Sequence, residues 1–152
     1  MASVHPTAFV APGAELAEDV TVGPFCYVGG RVRVGAGTRF GPHVTVQGRT
    51  TIGRDNHFVG HCAIGGLPQD LKYAGEESAL SIGDRNVVRE FVTMNIGTAA
   101  GGWVTSLGDG NLIMACAHVA HDCVLEDEII LGNNVLLAGH VRIESNAIIS
   151  GG

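Results

Sequence analysis

The chain has 152 residues, 45% of them hydrophobic, and a formal charge of -6: enough for one domain with a packed core, too little for two ordinary ones, and short of the cations that nonspecific nucleic-acid binding requires. Its 23 glycines against 5% aromatic residues are unusual for a compact globule and point to a repetitive architecture with many tight corners. No apolar run approaches the ~20 residues that cross a bilayer, and the N-terminus MASVHPTA lacks the basic and apolar regions of a signal peptide; the expected location is cytoplasmic, without membrane insertion.

From Val4 onward every sixth residue is apolar: Val4, Val10, Leu16, Val22, Val28, Val34, Phe40, Val46, Ile52, Phe58 and Ile64. The phase breaks, returns at Ile82, Val88 and Met94, breaks again with a shift of one, and runs from Leu107 to Ile149. Four places after the large residue there usually stands a small or β-branched one, such as Ala14, Val20, Cys26, Thr38, Ala117 and Cys123. Three of the four cysteines, Cys26, Cys62 and Cys123, occupy that slot, and no CxxC or metal-type spacing occurs, so they read as reduced interior hydrophobes. Glycine often follows the large residue directly, as at Gly23, Gly35, Gly53 and Gly83, which suits a corner of unusual dihedrals or close backbone approach.

Six residues with two inward positions and a corner make a short strand plus a turn, and three such units close a triangular coil. The expected fold is therefore all-β, a parallel β-helix in which stacked coils satisfy one another's backbone groups at ~4.8 Å. An amphipathic helix is excluded, because a strict step of six does not hold one face of a 3.6-residue helix. The period alone does not set the hand, since parallel crossovers are normally right-handed. The [LIV]-G-x-x-small-x hexad is similar to that of the hexapeptide-repeat transferases, and this resemblance implies a left-handed prism.

Two segments interrupt the repeat and are expected to protrude from the prism as loops. The first, GGLPQDLKYAGEES from Gly65 to Ser78, places Asp70 and Glu76 at inward positions and spans one whole coil; the second, AAGGWVTS from Ala99 to Ser106, carries the one tryptophan. Beyond them, His121 lies two places after the inward Val119, at a corner where a side chain points out. His140 follows by one coil plus one residue and emerges beside it, and His118 flanks the same edge. Three imidazoles converging on one patch fit a general base near neutral pH or a zinc site.

Four motifs bear on that choice: QDLKYAGE at Gln69–Glu76, IGDRNVVRE at Ile82–Glu90, AHVAHDC at Ala117–Cys123 and LAGHV at Leu137–Val141. In order and spacing they closely resemble the bacterial UDP-N-acetylglucosamine O-acyltransferases of lipid A synthesis, over nearly all of residues 1–152. The resemblance implies transfer of an R-3-hydroxyacyl chain from acyl carrier protein to the 3-hydroxyl of a UDP-sugar, with no metal and no cofactor, in a homotrimer whose active sites lie between subunits. It makes His121 the general base and the Gly139 backbone N–H the oxyanion donor. Gln69, Asp70, Lys72, His118 and His140 would line the nucleotide-sugar and acyl pocket. Which carboxylate orients His121, Asp122 or Asp70 of a neighbouring subunit, stays open.

The chain departs from the family at MNIGT, with Asn95 and Ile96 where better-known members carry histidine and arginine. Its repeat also stops at AIISGG. There the resemblance implies further coils and a C-terminal helical domain, so the expectation is a single β-helix domain over residues 1–152 with reduced or no activity alone. Two other functions compete. A zinc lyase resembling γ-carbonic anhydrase fits AHVAHDC poorly and has no place for QDLKYAGE, and a noncatalytic trimeric scaffold would bind without turnover.

Overall fold

A six-residue unit that must also turn has room for little more than two extended residues, and most strands of the chain have that length. The structure, a computed structural model that describes residues 1–152, is a left-handed parallel β-helix with three flat faces. The first face stacks eight strands, from Ser3–Val4 to Ile148–Ile149. The second stacks seven, from Phe9–Val10 to Leu136–Leu137, and the third seven, from Glu15–Leu16 to Arg142–Ile143. The single helical turn, Ala99–Gly101, belongs to the second interruption.

Along each strand one side chain points out and the next points in, so a step of one coil puts like on like. Val22 sits on Phe40, Phe40 on Phe58 and Phe58 on Val88, and the two phenyl rings meet inside the prism with centroids 5.1 Å apart. Every sixth residue from Val22 to Ile64 is buried, and the small slot packs between them with Val20, Val32, Thr38, Val44, Ala117 and Cys123.

For the corner glycines the structure selects close approach over unusual dihedrals. Gly53 is outside the left-handed region, but a Cβ on it would lie 2.6 Å from the Gly83 carbonyl oxygen of the next coil. The left-handed conformation falls two residues later and is carried by Asp19, Phe25, His43, Asp55, His61, Arg85, Asp122 and His140, with φ between 49° and 64°. Asp and His tolerate that region better than most side chains; Phe25 and Arg85 are held there by the stacked backbone around them.

Register shows what the interruptions add. Aligned residues are 18 apart in the ordinary coils, 30 apart across the first interruption and 25 apart across the second. The first therefore inserts two-thirds of a coil at one corner, not the whole coil read from the sequence: Ile64 pairs with Met94 on the second face, whereas Ile82 pairs with Ile52 on the third. Thirty preserves the hexad phase and twenty-five shifts it by one, which explains the one-residue slip after the second interruption. Both insertions leave the edge where the second face turns into the third.

The opposite edge, from third face to first, is closed by buried asparagines in the small slot. Asn56 Oδ1 accepts the N–H of Asn86 at 2.9 Å, Asn86 Oδ1 that of Asn111 at 2.8 Å, and Asn111 Oδ1 that of Ile129 at 2.7 Å. Each amide thus satisfies a backbone donor that the turn leaves without a carbonyl.

All four cysteines are free; Cys26, Cys62 and Cys123 are buried, as the slot reading requires, and Cys116 is exposed at a left-handed corner. Burial pushes the Cys62 thiol up to about 11, so it holds its proton and stays unreactive. The native chain is expected to react with Ellman's reagent at Cys116 alone, and at the other three thiols only after denaturation; rapid release of more than one equivalent would contradict the packing.

Candidate active site on one edge of the prism

The edge that carries both insertions also carries the histidines. His121 lies in the corner after His118–Val119, and Gly139 and His140 lie in the corner one coil further on, after Leu136–Leu137. Counting by coil, His121 stands over Gly139 and Asp122 over His140, the latter two both in the left-handed conformation. The imidazoles of His121 and His140 meet edge to face at 5.1 Å and 88°, so the expected juxtaposition of these two residues is present. His118 points outward from the second face. Its Nδ1 is 2.6 Å from Thr93 Oγ1, and burial, then the nearby His121, lower its pKa.

The question of the orienting carboxylate has a geometric answer. Asp122 Oδ2 lies 2.8 Å from His121 Nδ1 and 3.7 Å from His140 Nε2. Its side chain has no solvent exposure, against 12% for His121 and 54% for His140. Burial alone would raise the Asp122 pKa, but the hydroxyl and amide of Thr98, with His121 and His140, outweigh it and hold the carboxyl below its ordinary value. The Asp122 amide is itself spent on Thr105 Oγ1 at 2.8 Å. An ionised carboxylate only accepts, so in the neutral ring the contact puts the His121 proton on Nδ1 and leaves Nε2 as the acceptor.

Gly139 supplies room and a donor. A Cβ on it would lie 2.5 Å from His121 Cε1 and 2.7 Å from Nε2, so the ring rests directly on the glycine backbone. Its N–H donates to no acceptor within the chain, which leaves it free for an oxyanion.

The first insertion stands apart from this cluster. Gln69 and Lys72 are exposed and Asp70 is half-buried. Asp70 Oδ1 closes a turn by accepting the Lys72 amide at 2.9 Å, and none of the three side chains bonds to a histidine. What joins the loop to the site is Glu76: its Oε2 accepts the Ala74 amide at 2.8 Å and its Oε1 the Ala99 amide of the second insertion at 3.3 Å. Asn95 and Ile96, the two departures, are buried at 6% and 3% exposure, and Asn95 Oδ1 has no partner.

His121, Asp122 and His140 offer three metal-type ligand atoms within 4.8 Å of one another. The donor set nevertheless suits a proton-transfer pair better than an ion, because both carboxylate oxygens are engaged and enclosed. The concave surfaces of the chain lie elsewhere, among the N-terminal coils of the third face, one lined by Leu16, Val34 and Ile52 and one by Arg31, Arg33 and Arg49. The histidines stand on an open edge.

Sequence reasoning left Asp122 unassigned and missed Thr98 and Glu76. Asp122 carried a signal: it is the third residue after Val119 as His140 is the third after Leu137, so the two had to stack. Thr98 holds the small slot four places after Met94, but nothing in the pattern foretold its reach to Asp122.

Comparisons with known proteins agree with the fold. The family model described as "Bacterial transferase hexapeptide (six repeats)" matches residues 13–48. The acyl-[acyl-carrier-protein]–UDP-N-acetylglucosamine O-acyltransferase of Thiobacillus denitrificans is 53% identical over 151 residues, covering 99% of this chain and 58% of that one. The protein of the same name from Stenotrophomonas maltophilia is 55% identical over 148 residues, covering 97% and 56%. Among solved structures, UDP-N-acetylglucosamine acyltransferase of Francisella novicida superposes with a TM-score of 0.95 at 40% identity, covering 97% of this chain and 54% of that one. The Campylobacter jejuni enzyme gives 0.90 at 38%, covering 98% and 58%. The chain thus spans a little over half the length of the curated relatives it matches.

Proposed function

We propose that the chain belongs, over the part it spans, to the hexapeptide-repeat UDP-N-acetylglucosamine O-acyltransferases that it resembles at 53–55% identity, and that it carries the base of an enzyme moving an R-3-hydroxyacyl chain from acyl carrier protein to the 3-hydroxyl of UDP-N-acetylglucosamine, the first step of lipid A synthesis. One observation carries the reading: His121 with Nδ1 2.8 Å from the buried Asp122 carboxylate and its ring resting on Gly139, whose N–H is unspent.

His121 Nε2 takes the proton of the sugar hydroxyl as that oxygen bonds to the thioester carbonyl carbon. Asp122 stabilises the imidazolium that forms, and the Gly139 N–H donates to the carbonyl oxygen as it gains negative charge, an effect worth about 3 kcal/mol where such a donor is preorganised. When the C–S bond breaks, His121 returns the proton to the departing thiolate, so the base regenerates with each turnover. Gln69, Asp70, Lys72, His118 and His140 hold the nucleotide sugar and acyl chain.

The same reading makes the protein a cytoplasmic homotrimer with its sites between subunits. No helix is long and apolar enough to cross a membrane. The second face and its edge with the first expose Phe9, Phe25, Phe91 and Leu136 at 57–72%, and Phe25, His43, His61 and Phe91 form an external ring ladder. An apolar surface of that kind favours burial against another copy, whose flank would close the open edge.

The test is mass-spectrometric detection of 3-O-acylated UDP-N-acetylglucosamine after incubation with R-3-hydroxyacyl carrier protein, paired with calorimetry for the nucleotide sugar. Thioester hydrolysis without an acylated sugar would overturn the reading, whereas reduced turnover is what a chain spanning a little over half of its relatives is expected to give.

A further inference from the structure

The coil that carries Asp122 does not by itself decide where the carboxylate points. Two side-chain donors meet Oδ2, His121 Nδ1 at 2.8 Å and Thr98 Oγ1 at 2.6 Å, while His140 Nε2 stands off at 3.7 Å, beyond hydrogen-bond reach. Two imidazoles thus stand near one oxygen at unequal distances, and the residue that fixes its direction immediately precedes the second insertion. Thr98, itself 3% exposed, donates its amide to Oδ1 at 2.7 Å and its hydroxyl to Oδ2. Gripped at both oxygens, the carboxylate keeps a fixed plane, and that plane aims Oδ2 at His121. Gly101 covers the carboxylate from above so closely that any side chain there would collide with it. The insertion is in turn tied down at Ala99, whose amide donates to Glu76 of the first insertion.

We infer that Thr98 is the positioning residue of this site: its hydroxyl and amide hold Asp122 toward His121 rather than His140 and so fix His121 in the Nδ1–H tautomer, with Glu76 bracing the loop that follows Thr98. The assignment rests on the reading of His121 as a base, but its first readout needs no turnover. A neutral histidine side chain in water favours a proton on Nε2, the nitrogen that this base must keep bare, so the opposite tautomer has to be imposed by an acceptor at Nδ1. Buried anionic oxygens, for their part, keep their charge only while donors meet them. Thr98 provides two of those donors.

The experiment is ¹⁵N NMR of the His121 ring nitrogens in the chain and in Thr98→Val and Thr98→Ser. Valine keeps the shape and the amide but removes the hydroxyl. The fraction of Nδ1–H tautomer is expected to fall in the valine variant and to hold in the serine variant, and kcat for acyl transfer to fall about tenfold with KM little changed, the size of one charge-assisted hydrogen bond. His121 signals unchanged by valine, or equal losses in valine and serine, would overturn the role. If the valine variant does not fold, amide exchange in the unaltered chain decides: the Thr98 N–H should be protected, and exchange as fast as that of the exposed Gly102 would refute the grip. A tautomer shift in a chain that hydrolyses the thioester without acylating the sugar upholds Thr98 and overturns only the transferase.

Discussion

Replacing His121 with alanine is expected to lower acyl transfer by about 10²–10⁴-fold, the usual contribution of a positioned general base, while the chain stays folded. The structural half of that expectation follows from the donors around Asp122. With the imidazole gone, the carboxylate keeps both hydrogen bonds from Thr98, so no buried charge is left bare. The His121 ring sits at an open edge with 12% exposure and belongs to no part of the prism core. Its loss should therefore cost less than about 2 kcal/mol of stability, below the range of large core truncations. The catalytic half follows from position. His140 is too far from a role in its place, since its own Nε2 faces Asp122 and its ring meets that of His121 at a right angle. Steady-state transfer and a thermal melt on the same preparation separate the two halves. Unchanged turnover would remove His121 from the proton path; a collapsed melt would show the ring to be structural.

How much of this was legible beforehand depends on which residues carry periodic information. The hexad from Val22 to Ile64 foretold the buried column and the three faces, because a solenoid repeats one local environment and the sequence repeats with it. Cys26, Cys62 and Cys123 were readable as interior and Cys116 as the exception for the same reason. The meeting of His121 with His140 was legible too, since it needs only the length of a coil. The insertions were legible as loops but not in their length. A shift from 18 to 30 residues in register depends on where a loop leaves and returns, and the sequence offers the same hexad phase for a loop at one corner as for an entire coil. Corner conformation was also hidden, because Phe25 and Arg85 adopt the left-handed region as Asp19 and His43 do, with the stacked backbone overriding residue preference. Glu76 acts through an irregular segment, where spacing carries no geometry, and the slot of Thr98 does not state its reach.

Gly139 yields the second large effect, through a contact that its proposed role as an oxyanion donor does not require. An alanine there would keep the N–H but set its methyl 2.5 Å from His121 Cε1. Ordinary contact needs roughly 1 Å more than that, and the imidazole is the group that can give, because the Gly139 backbone is stacked under the coil through the His140 amide, which donates to the His121 carbonyl at 3.1 Å. The ring then swings off its line to Asp122 Oδ2, and Nε2 leaves the position from which it reaches the hydroxyl. A displacement of that size at a reacting group costs about 100-fold, so Gly139→Ala is expected to lower kcat by about that factor and to lower the Nδ1–H tautomer fraction of His121 in the same NMR spectrum. The two observables separate the roles that meet at this residue. A fall in kcat with the tautomer intact would place the damage at the oxyanion, whereas a fall in both places it at the ring. Wild-type turnover by the alanine variant would mean that the imidazole does not rest on this glycine during the reaction.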